Sequence, residues 1–206
     1  MTPAALRTLP PADLELGASA LAGAILIALL VWLWRWDRRR RQRQARIQAI
    51  TGCGFDHLRD VLVPDGQGGS LHVDFLLLTL RGVVIIDLRD VAGNIFGGDQ
   101  MNEWTVMNGA QRYTFSNPQT ALFDRIAAVR ALAQELPVEG RIVFTGRGRF
   151  PKGLPRHTLS LESLSAEFPV SDRMAVGDLL DRWTPPWEML KSAVAPSRLA
   201  RSRAAI

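Results

Sequence analysis

One cysteine in 206 residues rules out an internal disulfide, and three scattered histidines leave no Cys/His spacing of the kind that holds zinc. His57, His72 and His157 fall into no Ser/His/Asp order, so none of them stands out as a catalytic base. Gly93, Gly97 and Gly98 follow a strand-like run but open no helix, which argues against a dinucleotide-binding turn. A reducing, cytoplasmic setting fits this composition.

Charge is missing from Leu16 to Trp34. A helix of that length spans about 28 Å at 1.5 Å per residue, close to the hydrocarbon thickness of a bilayer. Trp32, Trp34 and Trp36 gather at one end as interfacial anchors, and arginines 35, 38, 39, 40, 41, 43 and 46 follow at once, whereas the first 15 residues carry only Arg7. The positive-inside rule therefore predicts a single-pass anchor in a bacterial-type inner membrane, with the N-terminus outside and the rest cytoplasmic. A cleaved signal peptide would want its basic residues before the apolar run. The arginine cluster also explains the charge. The chain carries +5, residues 35–46 carry +6, and everything else sums to −1. These arginines read as orientation signal and anionic-lipid contact, and say little about what a folded domain binds.

The expected organisation is an outer N-terminus over 1–15, a membrane helix over 16–36, a basic juxtamembrane linker over 37–51, a folded domain over 52–186 and a basic, disordered tail over 187–206. Within the domain, Phe55, Leu58, Leu62 and Val63 fall at helical spacing and predict a short amphipathic helix. Leu71–Leu80 and Gly82–Leu88 predict an antiparallel hairpin of nearly continuous apolar strands, as in a sheet covered on both faces. Asn94–Phe96, Trp104–Met107 and the QRYTF run extend that sheet as a meander. Asn117 and Pro118 open a helix of about five turns that Pro137 stops. Arg141–Thr145 returns as a strand, Thr158–Leu161 adds an edge, Ser171–Trp183 forms a last helix, and Pro185 and Pro186 close the domain. The fold class is α/β, a mixed central sheet with flanking helices after one transmembrane helix.

Two carboxylates sit inside the apolar hairpin, Asp74 and Asp87. Burying a carboxylate costs free energy unless it is paired, hydrogen-bonded or bound to a cation. On neighbouring strands the two can converge, and Mg²⁺ or Mn²⁺ between them would relieve their repulsion and polarise a phosphodiester. Arg89, two residues beyond Asp87 on the same strand face, could stabilise charge developing on phosphate. The plainer reading leaves Asp74 at a wet strand end and pairs Asp87 with a basic neighbour. Arg147, Arg149 and Lys152, in the Gly/Pro-rich loop 146–157, are candidate substrate contacts or simply a solvated surface.

HVDFLLLTLRGVVIIDLRDVAGNIFG, then Trp104, then Asn117–Pro118, then RIVFTGRGRF, resemble in order and spacing the NERD (nuclease-related) domain over residues 52–165. The resemblance implies a restriction-endonuclease-like PD-(D/E)XK fold, with Asp74 as the first acid and Asp87-Leu88-Arg89 in the place of the acid-x-lysine motif. It also implies Mg-dependent cleavage of DNA or RNA. Arginine replaces the family's lysine at 89, and a guanidinium can stabilise charge but cannot accept a proton. A glutamate after glycine in the N-terminal helix and a glutamine a few residues after Asn-Pro are displaced, since Asp56 and Gln119 stand nearby but out of step. Together these departures favour weakened catalysis. The readings that remain are a membrane-anchored nuclease, a non-catalytic nucleic-acid or protein interaction module, and a lipid-surface sensor.

Overall fold

The computed structural model describes residues 11–133, 135–169 and 177–197, with side chains from residue 23 onward apart from 24. The chain divides into two units, the residues up to Arg46 and those from Ile47 onward. Helix α1 runs Pro11–Thr51. In the first unit it exposes Ile25, Leu26, Ile27, Leu29, Leu30, Val31, Leu33 and the three tryptophans 32, 34 and 36. Arg38 stacks over Trp34 and Arg40 over Trp36. Among the described residues no helix is long and apolar enough to cross a membrane. The span expected over 16–36 lies partly outside them, because the side chains of 16–22 and 24 are not described.

The second unit is built on a six-stranded sheet in the order β10-β1-β2-β3-β7-β9. Its centre is the expected hairpin, β2 (Ser70–Thr79) and β3 (Gly82–Arg89), antiparallel with Thr79 opposite Gly82. Gly82 has φ +103, and a Cβ there would collide with the Pro137 carbonyl, so only glycine fits this turn. Helix α2 (Pro118–Leu132) is capped by the Asn117 side chain, which accepts from the Gln119 N–H. It crosses over the sheet to β7 (Val138–Phe144), which pairs parallel with β3, while β9 (Thr158–Ser160) forms the edge. One face of the sheet packs Leu76, Leu78, Val83 and Ile85 against Leu122, Ile126 and Val129 of α2 and against Trp183, Trp187 and Leu190 of α4 (Gly177–Ala193). The other face packs Phe75, Leu77, Val84 and Ile86 against Ile50 and Cys53 at the end of α1 and against Leu164 and Phe168 around α3 (Leu164–Glu167). Cys53 is a core residue, and burial pushes its thiol up from its ordinary value.

Four elements differ from expectation. Residues 56–64 form a strand, β1 (Asp56–Pro64), antiparallel to β2, where a helix was expected. Asp60 adopts φ +52, which reverses the side-chain phase, so that Leu58 packs on the core before it and Val61 and Val63 after it. That three-residue step imitates helical spacing. The meander does not extend the central sheet: β4 (Gly93–Phe96), β5 (Glu103–Asn108), β6 (Gln111–Ser116) and β8 (Gly148–Arg149) make a separate sheet, ordered β6-β5-β4-β8. Helix α2 stops at Leu132, before Pro137, with Ala133 as its cap. Pro185 and Pro186 lie inside α4, which continues to Ala193 before β10 (Ala195–Pro196) pairs with β1. The buried Trp183, Trp187 and Leu190 outweigh the backbone bonds that the prolines remove. Of the tail expected to be disordered over 187–206, residues 187–193 belong to α4 and 195–196 to β10, while residues 198–206, like Ser171–Val176 of the expected last helix, lie outside the described residues.

Asp56 fastens α4 to β1. Its Oδ2 accepts from Trp187 Nε1 at 2.8 Å and from Lys191 Nζ at 3.0 Å. Burial alone would raise its pKa, but these bonds and the Lys191 charge hold it below the ordinary value. A depressed carboxylate pKa contributes stability above the unfolded value and loses it as pH falls through the folded one. Asp56→Ala is therefore expected to cost about 1–2 kcal/mol at neutral pH and to flatten the acid limb of the stability profile. Urea melts across the acid range would show both, and an unchanged acid limb would refute the assignment.

Candidate functional site

The sheet register places three aspartates in one row. Arg59 opposes Phe75, and Phe75 opposes Ile86; the next position on each strand is Asp60, Asp74 and Asp87. The ladder is interrupted there. Asp74 stands where a backbone pair would continue, and its Oδ2 accepts the Leu88 N–H at 3.0 Å. His72, two residues before Asp74 on β2, brings its ring between two of the carboxylates, with Nε2 3.7 Å from Asp60 Oδ1 and Nδ1 3.7 Å from Asp74 Oδ1.

Positive charge is distributed unevenly over this row. Asp87, 5% exposed, has its Oδ2 held by Arg89 Nη2 at 2.8 Å and by Arg125 Nη1 of α2 at 3.3 Å. Arg125 Nε also donates to the His72 carbonyl at 2.6 Å, which ties α2 to the strand carrying His72 and Asp74. Asp60 pairs with Arg59 at 3.3 Å. Among the described residues no arginine pairs with Asp74 directly, and the Arg89 charge acts on it only from a distance. Burial pushes its pKa up, the Leu88 N–H pulls it down, and the neighbouring Asp87 charge raises it again, for a net rise above the usual carboxylate range. Among the described residues, Arg89 Nε and His72 Nε2 are buried polar atoms of this cluster that meet no hydrogen-bond partner.

The structure thus brings Asp74, Asp87 and Arg89 together at one end of β2 and β3. Arg147, Arg149 and Lys152 are not among the contacts of the aspartate row. Arg147 pairs with Asp90, the residue after Arg89, at 3.4 Å, while Arg149 lies on β8, and both line a groove of about 390 Å³ on the second sheet with Asn94 and Met107. Lys152 is exposed. Gln119 is buried and donates to Asp99 and to the Arg156 carbonyl, latching loop 146–157 to the start of α2. A larger groove, about 740 Å³ between α2, β7 and β9, contains Arg130, Arg141 and Arg156 but none of the three aspartates.

Sequence reasoning missed Arg125, Asp60 and the part played by His72. The His72-x-Asp74 spacing was a usable signal, since residues two apart on a strand share a face. Asp60 became visible only once residues 56–64 were a strand, and Arg125 reaches Asp87 across 38 positions.

A magnesium ion bridging Asp74 and Asp87 does not fit these donors. The Asp87 carboxylate is already compensated by two guanidiniums at one oxygen, and the nearest spare donor to Asp74 is an imidazole rather than the oxygen that magnesium prefers. What the site offers is a partly buried carboxylate of raised pKa, Asp74, in the same row as an aspartate held by two guanidiniums.

The nuclease-related domain family, NERD, matches residues 40–145. No curated protein and no solved structure matches the chain. The match covers over half of the sequence and takes in α1 from Arg40, β1 with Asp60, the β2–β3 hairpin with Asp74 and Asp87, the first three strands of the second sheet, α2 and β7. With its acidic pair inside the matched segment and its α/β architecture in place, the chain belongs to the nuclease-related domain family.

Proposed function

We propose that this domain acts on the phosphodiester backbone of DNA or RNA, hydrolysing it at the β2–β3 end of the sheet, while α1 anchors it in a membrane. The observation that carries this reading is Arg89, whose buried Nε has no acceptor among the described residues although Nη2 is fixed on Asp87. An unmet guanidinium donor beside a carboxylate is suited to an anionic phosphate oxygen. Arg89 and Arg125, oriented by Asp87, supply the positive charge. Asp74 supplies the carboxylate that organises the attacking water, and its raised pKa brings it nearer the range useful for proton transfer.

The double pairing of Asp87 favours a second reading, a non-catalytic module that binds nucleic acid. In that case the arginines grip phosphate, and affinity falls steeply with salt. The apolar side chains exposed on α1 and the tryptophan–arginine stacks beside them support the anchor. The proposed orientation has the N-terminus outside, the arginines on anionic headgroups and the domain in the cytoplasm.

Asp74→Asn is the test. A carboxylate whose folded pKa is raised favours the folded state below its unfolded value and loses that contribution as pH rises through the folded one. An always-neutral asparagine, still able to accept the Leu88 N–H, is therefore at least as stable as the parent at neutral pH. Loss of cleavage cannot then be blamed on unfolding. Single- and double-stranded DNA and RNA, incubated with the full-length chain in neutral detergent with Mg²⁺, Mn²⁺ or EDTA, should be cut by the parent and at least about 100-fold more slowly by Asp74→Asn. Salt-sensitive binding without cleavage would establish the second reading.

A further inference from the structure

We propose that Asp60, His72 and Asp74 form a binding site for one first-row transition-metal dication of the Mn²⁺ or Zn²⁺ class. It is a different donor set from the Asp74–Asp87 pair that the family resemblance implies. Each of the three offers a ligand atom, and these atoms all lie within 4.8 Å of one another. Two adjacent strands supply them, β1 for Asp60 and β2 for His72 and Asp74.

His72 Nε2 is buried and has no hydrogen-bond partner among the described residues, although it faces Asp60 Oδ1 at 3.7 Å. That separation is too long for a hydrogen bond. It matches the spacing of two atoms bound to one ion, which lie about 3–4 Å apart when each metal–ligand bond is about 2.1 Å. Asp74 is prepared in the same sense. Its Oδ2 is fixed by the Leu88 N–H, which leaves Oδ1 toward His72. The His72 backbone is held in turn by Arg125. Such outer contacts orient ligands in metal sites generally.

At 3.7 Å neither ring nitrogen is within hydrogen-bond distance of the carboxylate oxygen it faces.

The donor set selects the metal class. Imidazole suits Mn²⁺, Zn²⁺ and their neighbours better than Mg²⁺, which prefers oxygen and keeps its water. Three protein ligands leave coordination positions for water and for a phosphate oxygen. Asp74 is shared with the hydrolytic reading. The catalytic use of the ion therefore rests on that reading, whereas the existence of the site does not.

The experiment uses the full-length chain in neutral detergent, stripped with EDTA and titrated calorimetrically with Mn²⁺, Zn²⁺ and Mg²⁺. One saturable Mn²⁺ per chain is expected, with Mg²⁺ at least about tenfold weaker, and His72→Ala should lower Mn²⁺ affinity about tenfold or more. Should His72→Ala fail to fold, pulsed electron paramagnetic resonance of Mn²⁺ on the parent chain reads the same claim without a variant, because a bound imidazole imprints nitrogen coupling. Absence of a saturable site, tighter binding of Mg²⁺, or Mn²⁺ bound without nitrogen coupling would each overturn the proposal. Metal bound by a chain that cuts no nucleic acid leaves the site standing and removes hydrolysis. Cleavage by a chain that binds no transition ion does the reverse.

Discussion

Asp87→Asn should cost the domain about 3 kcal/mol at neutral pH. Removing one partner of a buried ion pair typically costs 3–5 kcal/mol, because the remaining charge stays buried without compensation. Here two charges remain: the Arg125 side chain is 18% exposed and that of Arg89 35%. The low end of the range applies because water reaches Arg89 and screens it. Asparagine keeps the shape of the site and removes only the charge, so the loss reports electrostatics rather than a cavity. Urea denaturation should show a lower midpoint with an unchanged slope. Adding Arg125→Met to Asp87→Asn should recover part of the loss by removing one stranded guanidinium, whereas two independent defects would add. A loss under about 1 kcal/mol would mean that solvent already compensates Asp87.

This result would separate two aspartates that the sequence presents as equivalents. Both lie in apolar runs, and the family resemblance implies an acidic place for each. The structure gives Asp87 two guanidiniums and gives Asp74 one backbone N–H and a distant imidazole. Asp87→Asn is accordingly expected to lower stability, and Asp74→Asn to spare it. The composition of the hairpin could not reveal the difference, because the deciding group, Arg125, belongs to a helix brought over the sheet by the crossover.

What local chemistry decides was legible. The hairpin turn at Gly82, the Asn117 cap with Pro118 behind it, the parallel return of β7 and the edge strand β9 each follow from residues adjacent in the chain. What depends on a phase change or on distant packing was not. Asp60 reverses the alternation of β1, and the apolar positions on either side then fall at helical spacing. The second sheet splits from the first after Arg89, where backbone pairing passes to partners such as Gly93 with Arg147 that no periodicity announces. Pro185 and Pro186 read as a stop because their local effect is to break a helix, yet three buried apolar side chains across α4 carry the helix through. The metal-ligating trio needed β1 to be a strand before its geometry existed at all.

Trp104→Ala should cost about 4 kcal/mol, the range for deleting a buried tryptophan, and for a domain of this size lower Tm by about 12 °C. Trp104 lies on β5 and is fully buried. Its ring stacks on Phe144 of β7 at 6.1 Å and meets the edges of Phe115 and Phe150, so one side chain joins the second sheet to the central one. Its Nε1 donates to the Gly98 carbonyl at 3.2 Å. Trp104→Phe keeps an aromatic ring against Phe144 and loses that bond together with part of the ring volume, so it should cost less than half as much. Gly97→Ala perturbs the same contact, because a Cβ at 97 would overlap the indole and displace it. If the proposed function holds, separation of the sheets should weaken nucleic-acid binding in Trp104→Ala even at temperatures where the central sheet stays folded, since β8 carries Arg149 and β4 is the strand leading away from Asp90. Thermal melts followed by far-UV dichroism, beside binding measured below the transition, test both parts. Equal costs for the alanine and phenylalanine variants would show that the hydrogen bond to Gly98, and not the stacked ring, holds the sheets together.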